Sequence, residues 1–167
     1  MDQVHFLGGG HRRCRNRRIY GMVPERQGRD EMIHLTIPGK PRAWQRARLA
    51  KGGRHHFTDT ITTAVKNAVG WHFKKTCPGH ALWLGPVRLL VTAYFPIPKS
   101  TSQKKRCEMH SDRVWYPHKS DWDNIGKLPS DALNGIAYID DCQVVDGRVL
   151  KYYSPRPRVE IELEEMT

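Results

Sequence analysis

Disulfides, zinc clusters and membrane spans have little to build on in this sequence. Its four cysteines, Cys14, Cys77, Cys107 and Cys142, lie far apart and form no CxxC pair. That spacing argues against zinc ligation and reads as reduced thiols. No apolar run approaches the about 20 residues that cross a bilayer. No continuous hydrophobic stretch opens the chain as a secretory leader would. A cytoplasmic protein with no membrane role and no small-molecule cofactor is expected. Acidic charge is also short: 17 Asp and Glu stand against 28 Lys and Arg, for a net charge of +11.

That imbalance is uneven along the chain. Residues 1–127 carry 24 Lys and Arg against 9 Asp and Glu, whereas residues 128–167 carry 4 against 8. A basic body with an acidic end favours a nucleic-acid partner over an anionic membrane. A length of 167 residues suits one domain with a real core.

Residues 1–31 show no hydrophobic periodicity and contain Gly8-Gly9-Gly10 and the basic run Arg12 to Arg18. They read as a basic, flexible extension. An arm that tracks phosphates, or a natural start at Met32, are the other readings. Ile33 to Ile37 then reads as a strand that stops at Pro38-Gly39. Residues 38–57 read as a basic loop carrying Lys40, Arg42, Arg46, Arg48, Lys51 and Arg54, with Trp44 among them. Guanidinium and aromatic groups interleaved in this way suit phosphate contact and base stacking.

Asp59 to Lys75 reads as a helix, with Thr58 or Asp59 as its cap. Its apolar face is expected to be Ile61, Ala64, Val65, Ala68, Val69 and His72. Val87 to Phe95 is apolar on both faces and reads as a central strand. Lys99 to Lys119 reads as a second basic loop, bearing Lys104, Lys105, Arg106 and Lys119. Asn124 to Leu133 reads as a helix capped by Asp123 and stopped at Asn134-Gly135. Val144 to Tyr152 and Arg158 to Glu164 read as strands, the second alternating Val159, Ile161 and Leu163 against Glu160, Glu162 and Glu164. The order β-α-β-α-β-β predicts a single compact α+β domain with a mixed sheet.

Five carboxylates and a lysine are concentrated in the two runs Ser120 to Lys127 and Tyr138 to Asp146, within this otherwise basic chain. Phosphate repels carboxylates, so a protein that only grips a polyanion would avoid such a cluster. A bound divalent cation reverses the sign. Asp side chains are hard oxygen ligands suited to Mg²⁺, which commonly keeps one or two carboxylates, waters and substrate phosphate oxygens. Asp121 and Asp123 stand two apart before the helix and face one side if the chain is extended there. Lys127 returns near that face one turn later, and Asp140-Asp141 precedes the next strand. The plainer readings are a helix cap, a turn before a strand and a solvated lysine. The cluster in a basic domain suggests metal-assisted cleavage of nucleic acid.

The motifs Asp121-Trp122-Asp123-Asn124-x-x-Lys127, Asp131-Ala132-Leu133-Asn134 and Tyr138-Ile139-Asp140-Asp141-x-Gln143-Val144-Val145-Asp146 resemble those of the RusA-type Holliday junction resolvases of bacteria and their phages. Leu35-Thr36-Ile37-Pro38-Gly39-Lys40-Pro41 resembles the start of that family's domain, and the resemblance spans about residues 32–164. It implies a RusA-like endonuclease domain at 32–167 that is a homodimer and depends on Mg²⁺, with Mn²⁺ a possible substitute. It implies Asp121, Asp123 and Asp141 as metal-binding catalytic aspartates, Lys127 as the catalytic lysine, and supporting roles for Asp140 and Asp146. The activity it implies is paired nicking of four-way junction DNA in recombination and repair. Pro129 inside the predicted helix departs from ideal helix chemistry, at a cost of about 3 kcal/mol where it stays straight. Two rivals stay open: a looser nuclease for branched DNA or flaps, and a non-catalytic architectural protein that binds junctions.

Overall fold

A computed structural model describes residues 32–45, 48–49, 56–57, 60–111 and 113–166. The expectations for residues 1–31, the caps Thr58 and Asp59, and the side chains of Arg46, Arg48, Lys51 and Arg54 lie outside those descriptions. Four strands form a mixed sheet: β1 (Ile33–Pro38), β4 (Val87–Pro96), β5 (Val144–Ser154) and β6 (Arg158–Glu165), in the order β1-β6-β4-β5. β2 (Arg48–Leu49) and β3 (His56–Phe57) form a separate antiparallel pair inside the region expected to be loop.

β4 is central, as its doubly apolar sequence requires. β5 runs parallel to it on one side and β6 antiparallel on the other. β5 and β6 are consecutive in sequence but are not neighbours. The link between them crosses the end of β4, and the buried Ser154 organises that crossing. Its hydroxyl accepts from the Arg156 backbone N–H at 3.0 Å and from Arg158 Nη1 at 3.2 Å.

Helices α1 (Thr60–Thr76) and α3 (Trp122–Leu133) pack against each other and against one face of the sheet. β1 and β6 send Leu35, Ile161 and Leu163 into the same core as Val87, Val91 and Phe95 of β4. Phe73, Ile125 and Leu133 close it from the helices. Each such side chain contributes about 1.5–3 kcal/mol by leaving water.

Three local expectations are corrected. The buried residues of α1 are Thr62, Val69, Gly70 and Phe73, so its core face is rotated from the expected stripe. Ile61 is largely exposed, and Ile61, Ala64, Val65 and Ala68 instead line a groove against Ile125 and Leu128 of α3. Gly70 lies on this buried face, where a Cβ would stand 3.0 Å from Ile136 Cδ1. α3 begins at Trp122, so Asp121 is its N-cap and Asp123 lies within the first turn. A short helix, α2 (Gln103–Met109), occupies the second basic loop. Its absence from the sequence reading has a plain cause: it buries no residue and so carries no apolar stripe.

Candidate active site

Two elements build the site, the N-terminal half of α3 and the turn that enters β5. Ser120 precedes α3 with φ +94°, a backbone region that side-chain-bearing residues rarely occupy. Strain of this kind persists where surroundings over-determine it. Here Lys151 of β5 does so, its Nζ donating to the carbonyls of Ser120 at 3.0 Å and His118 at 3.3 Å. The backbone of β5 holds the same segment, since Tyr116 N–H donates to Lys151 O at 2.9 Å and Tyr153 N–H to Val114 O at 2.9 Å.

This turn delivers Asp121 and Asp123 to an open pocket that they share with His118, Ser120, Trp122 and Lys151. Both aspartates are exposed. Asp121 occupies the cap position yet makes no capping bond with its side chain. Neither carboxylate has a hydrogen-bond or ion-pair partner among the described residues. The extended i, i+2 geometry expected for the pair is replaced by a cap and a first-turn residue, and they still open onto one space.

Lys127 projects one turn further on. Its Nζ lies 2.9 Å from Asp131 Oδ1 and 3.7 Å from Asp141 Oδ2. The Trp44 ring centroid stands 5.6 Å away, a cation–π contact. Trp44 is itself tied to α3 by its backbone N–H, which donates to Asn124 O at 2.7 Å. The hydrogen bond to Asp131 raises the Lys127 ammonium above its usual range despite partial burial, and the Asp131 and Asp141 charges add to it. Lys66 of α1 donates to the other oxygen of Asp131 at 2.9 Å. Burial alone would push the Asp131 carboxyl up. The two lysines outweigh that and hold it below its ordinary value. Sequence reasoning missed Lys66 and gave Asp131 no role. The i, i+4 spacing of Lys127 and Asp131 was the available signal for the second of these.

Asp141 stands on a one-turn 3₁₀ helix, Asp141–Gln143, whose construction explains the neighbouring motif residues. Asp140 Oδ1 accepts from Cys142 N–H at 2.9 Å, and Gln143 Oε1 accepts from Asp140 N–H at 3.0 Å, which is a capping box. Gln143 also accepts from Ile139 N–H and donates to the carbonyls of Trp83 and Gly85. Its amide therefore ties the turn to the segment before β4. Tyr138 anchors the other side. Its hydroxyl donates to Ser130 O at 2.9 Å, and burial pushes its pKa up to about 12. Asp140 is thus committed to the turn, while Asp141 faces Lys127. Asp146 accepts from Arg88 and Arg148, both at 3.0 Å, and so ties β5 to β4.

Hard, unpaired, solvent-facing carboxylates are the donor chemistry Mg²⁺ takes, and Asp121 with Asp123 fit it. Asp141 is held by Lys127 rather than by that pair, and no three His, Cys, Asp or Glu side chains converge as a ready ligand cluster among the described residues. Lys40, Arg42, Lys104, Lys105 and Lys119 are exposed. Arg106 is partly committed, donating to Lys99 O at 3.1 Å. Among the described residues, no helix is long and apolar enough to cross a membrane.

The sequence has counterparts among known proteins. Residues 38–164 match the family model of the endodeoxyribonuclease RusA. The chain belongs to the RusA endodeoxyribonuclease family, a family of nucleases. It is also 37% identical over 141 residues to the uncharacterized protein YqaN of Bacillus subtilis (strain 168), covering 82% of this chain and 99% of that one.

Proposed function

We propose that this protein is a Holliday junction resolvase that makes paired nicks in four-way DNA junctions by Mg²⁺-dependent phosphodiester hydrolysis. One observation carries the reading: Asp121 and Asp123 are exposed, unpaired among the described residues and open onto one pocket, and Asp123 also shares an opening with Lys127, in a chain of net charge +11. A basic protein gains nothing from two bare carboxylates in a groove unless a cation joins them to phosphate. Asp121 and Asp123 would hold Mg²⁺, with Asp141 as the third carboxylate. When bound, Mg²⁺ polarises the scissile phosphate and lowers the pKa of a water.

The chain's own residues supply the rest. Lys127 is a fixed cation aimed by Asp131 and Asp141, placed to stabilise negative charge that grows on the phosphate in the transition state. Lys151 and the Ser120 turn set where Asp121 points. Lys40, Arg42, Lys104, Lys105, Arg106 and Lys119, with the basic residues at 46, 48, 51 and 54, are proposed to grip the arms. Phosphate contacts carry no sequence information, so selection for branched DNA rests on shape.

A homodimer completes the proposal, because matched nicks in two opposed strands need two copies of the site. The groove between α1 and α3, with Ile61, Ala64, Val65 and Leu128 on its walls, is the apolar surface that favours such a contact. Light scattering at micromolar concentration tests it. A dimer mass is expected, and a species that stays monomeric on junction DNA would favour the looser branched-DNA nuclease.

A further inference from the structure

A second opening adjoins the aspartates. It lies between α3 and β5, with a volume of about 330 Å³. That is the lower end of the about 300–1,000 Å³ of small-molecule sites. Its walls are mainly apolar, from Leu89, Val91, Val144 and Val149. Asp123 and Lys127 also line it, so it is continuous with the proposed cleavage site. Trp122 lines both openings and stands between them. It is 63% exposed, and its ring stacks on no other aromatic among the described residues.

Two glycines shape this slot. A Cβ at Gly126 would come within 2.7 Å of Val149 Cγ2, so glycine lets α3 settle onto β5 at that point. Gly147 also lines the slot, and a Cβ there would meet only Val144 Cγ1 at 3.6 Å. The space beside Gly147 is therefore open and can be filled by a larger side chain.

We propose that this slot receives one unstacked nucleobase of the bound DNA strand, with the Trp122 indole stacked on it, while the adjoining phosphate lies against Asp123 and Lys127. The inference rests on the nuclease reading and specifies what part of the substrate the site selects. Apolar walls suit the flat face of a base and not a phosphate, which the charged rim takes. Taking a base out of a duplex stack is costly, and less so where pairing is already disturbed. Stacking on one aromatic side chain offsets that cost in part. The balance is unfavourable within continuous duplex and close to even at a branch point, where stacking is already interrupted. The slot would therefore be occupied at a branch point and left empty in plain duplex, without reading sequence.

The test is a four-way junction carrying 5-iododeoxyuridine next to the exchange point. It is bound to the full-length protein without divalent metal, irradiated, and mapped by peptide mass spectrometry. The expected adduct is on Trp122. Gly147→Leu, which fills the slot, should lower its yield by about tenfold, within the range that one stacking contact supplies, while junction affinity by gel shift stays nearly unchanged. An adduct on Trp44 or Trp115 instead, or none while the junction is bound, overturns the inference and leaves the nuclease reading standing. Failure to bind junction DNA at all removes both. If Gly147→Leu does not fold, the position of the adduct in the wild-type protein decides alone.

Discussion

Lys66 on α1 and Lys127 on α3 share one carboxylate, each placing its ammonium 2.9 Å from a different oxygen of Asp131. The lysine at the proposed site is thereby coupled to the packing of the two helices. Asp131→Asn keeps the shape and removes the charge. Both lysines are partly exposed, so the stability loss is expected at about 1 kcal/mol, between a surface pair and a buried charged hydrogen bond. The Asp131 carboxyl titrates below its ordinary value of 3.8 in the folded protein. Its contribution is therefore complete above that value and lost as pH falls through the folded-state value. The difference in melting temperature between wild type and Asp131→Asn should persist at neutral pH and vanish at low pH. A difference that stays constant into acid would contradict this role.

Asp121→Asn, Asp123→Asn and Asp141→Asn should each abolish cleavage and leave junction binding intact or slightly tighter, because each removes a carboxylate that repels phosphate in the absence of metal. Lys127→Ala should lower the cleavage rate by far more than it lowers affinity. Gel shifts and cleavage assays on the same preparations check both. Equal losses in rate and binding would make Lys127 an ordinary phosphate anchor.

Gly126→Ala should destabilise the fold by about 1–3 kcal/mol, the usual range for overpacking. The new methyl would lie 2.7 Å from Val149 Cγ2, and a β-branched side chain in a strand has few other rotamers. Chemical denaturation reads the change directly. Unchanged stability would mean that α3 sits further from β5 than described.

Much of this architecture is legible in the residues. The alternation of Val159, Ile161 and Leu163 with three glutamates marks β6, and the doubly apolar run from Val87 marks the central strand. Both signals come from burial, which sequence records well. The pairing of β6 with β1 and β4, rather than with β5, depends on a chain crossing that no periodicity encodes. The expected core face of α1 left out Thr62 and Gly70, which carry no strong apolar signal yet are buried, and Phe73, which is buried one turn after Val69. The motif aspartates and Lys127 stood out in sequence as charges out of keeping with their surroundings. Lys66 and Lys151 did not, and Trp44 was legible as part of a basic loop but not as a neighbour of Lys127, because each reaches the site from an element remote in the chain.

Removal of residues 1–31 should leave a folded, active protein, since the family match covers residues 38–164 and the sequence before Met32 has no hydrophobic periodicity. If the extension contacts DNA, the salt dependence of binding becomes shallower by about one unit of log–log slope per lost phosphate contact. Titrations at several salt concentrations, with circular dichroism of the truncated chain, measure both. An unfolded truncation product would assign the extension to the core.

The most direct measurement is cleavage of one four-way junction, labelled on each strand in turn, with Mg²⁺ and with a chelator. Symmetric nicks in two opposed strands are expected with Mg²⁺ and none with the chelator, while flaps and plain duplex are cut far less. No nicking under any metal, or equal nicking of junction, flap and duplex, would contradict the account.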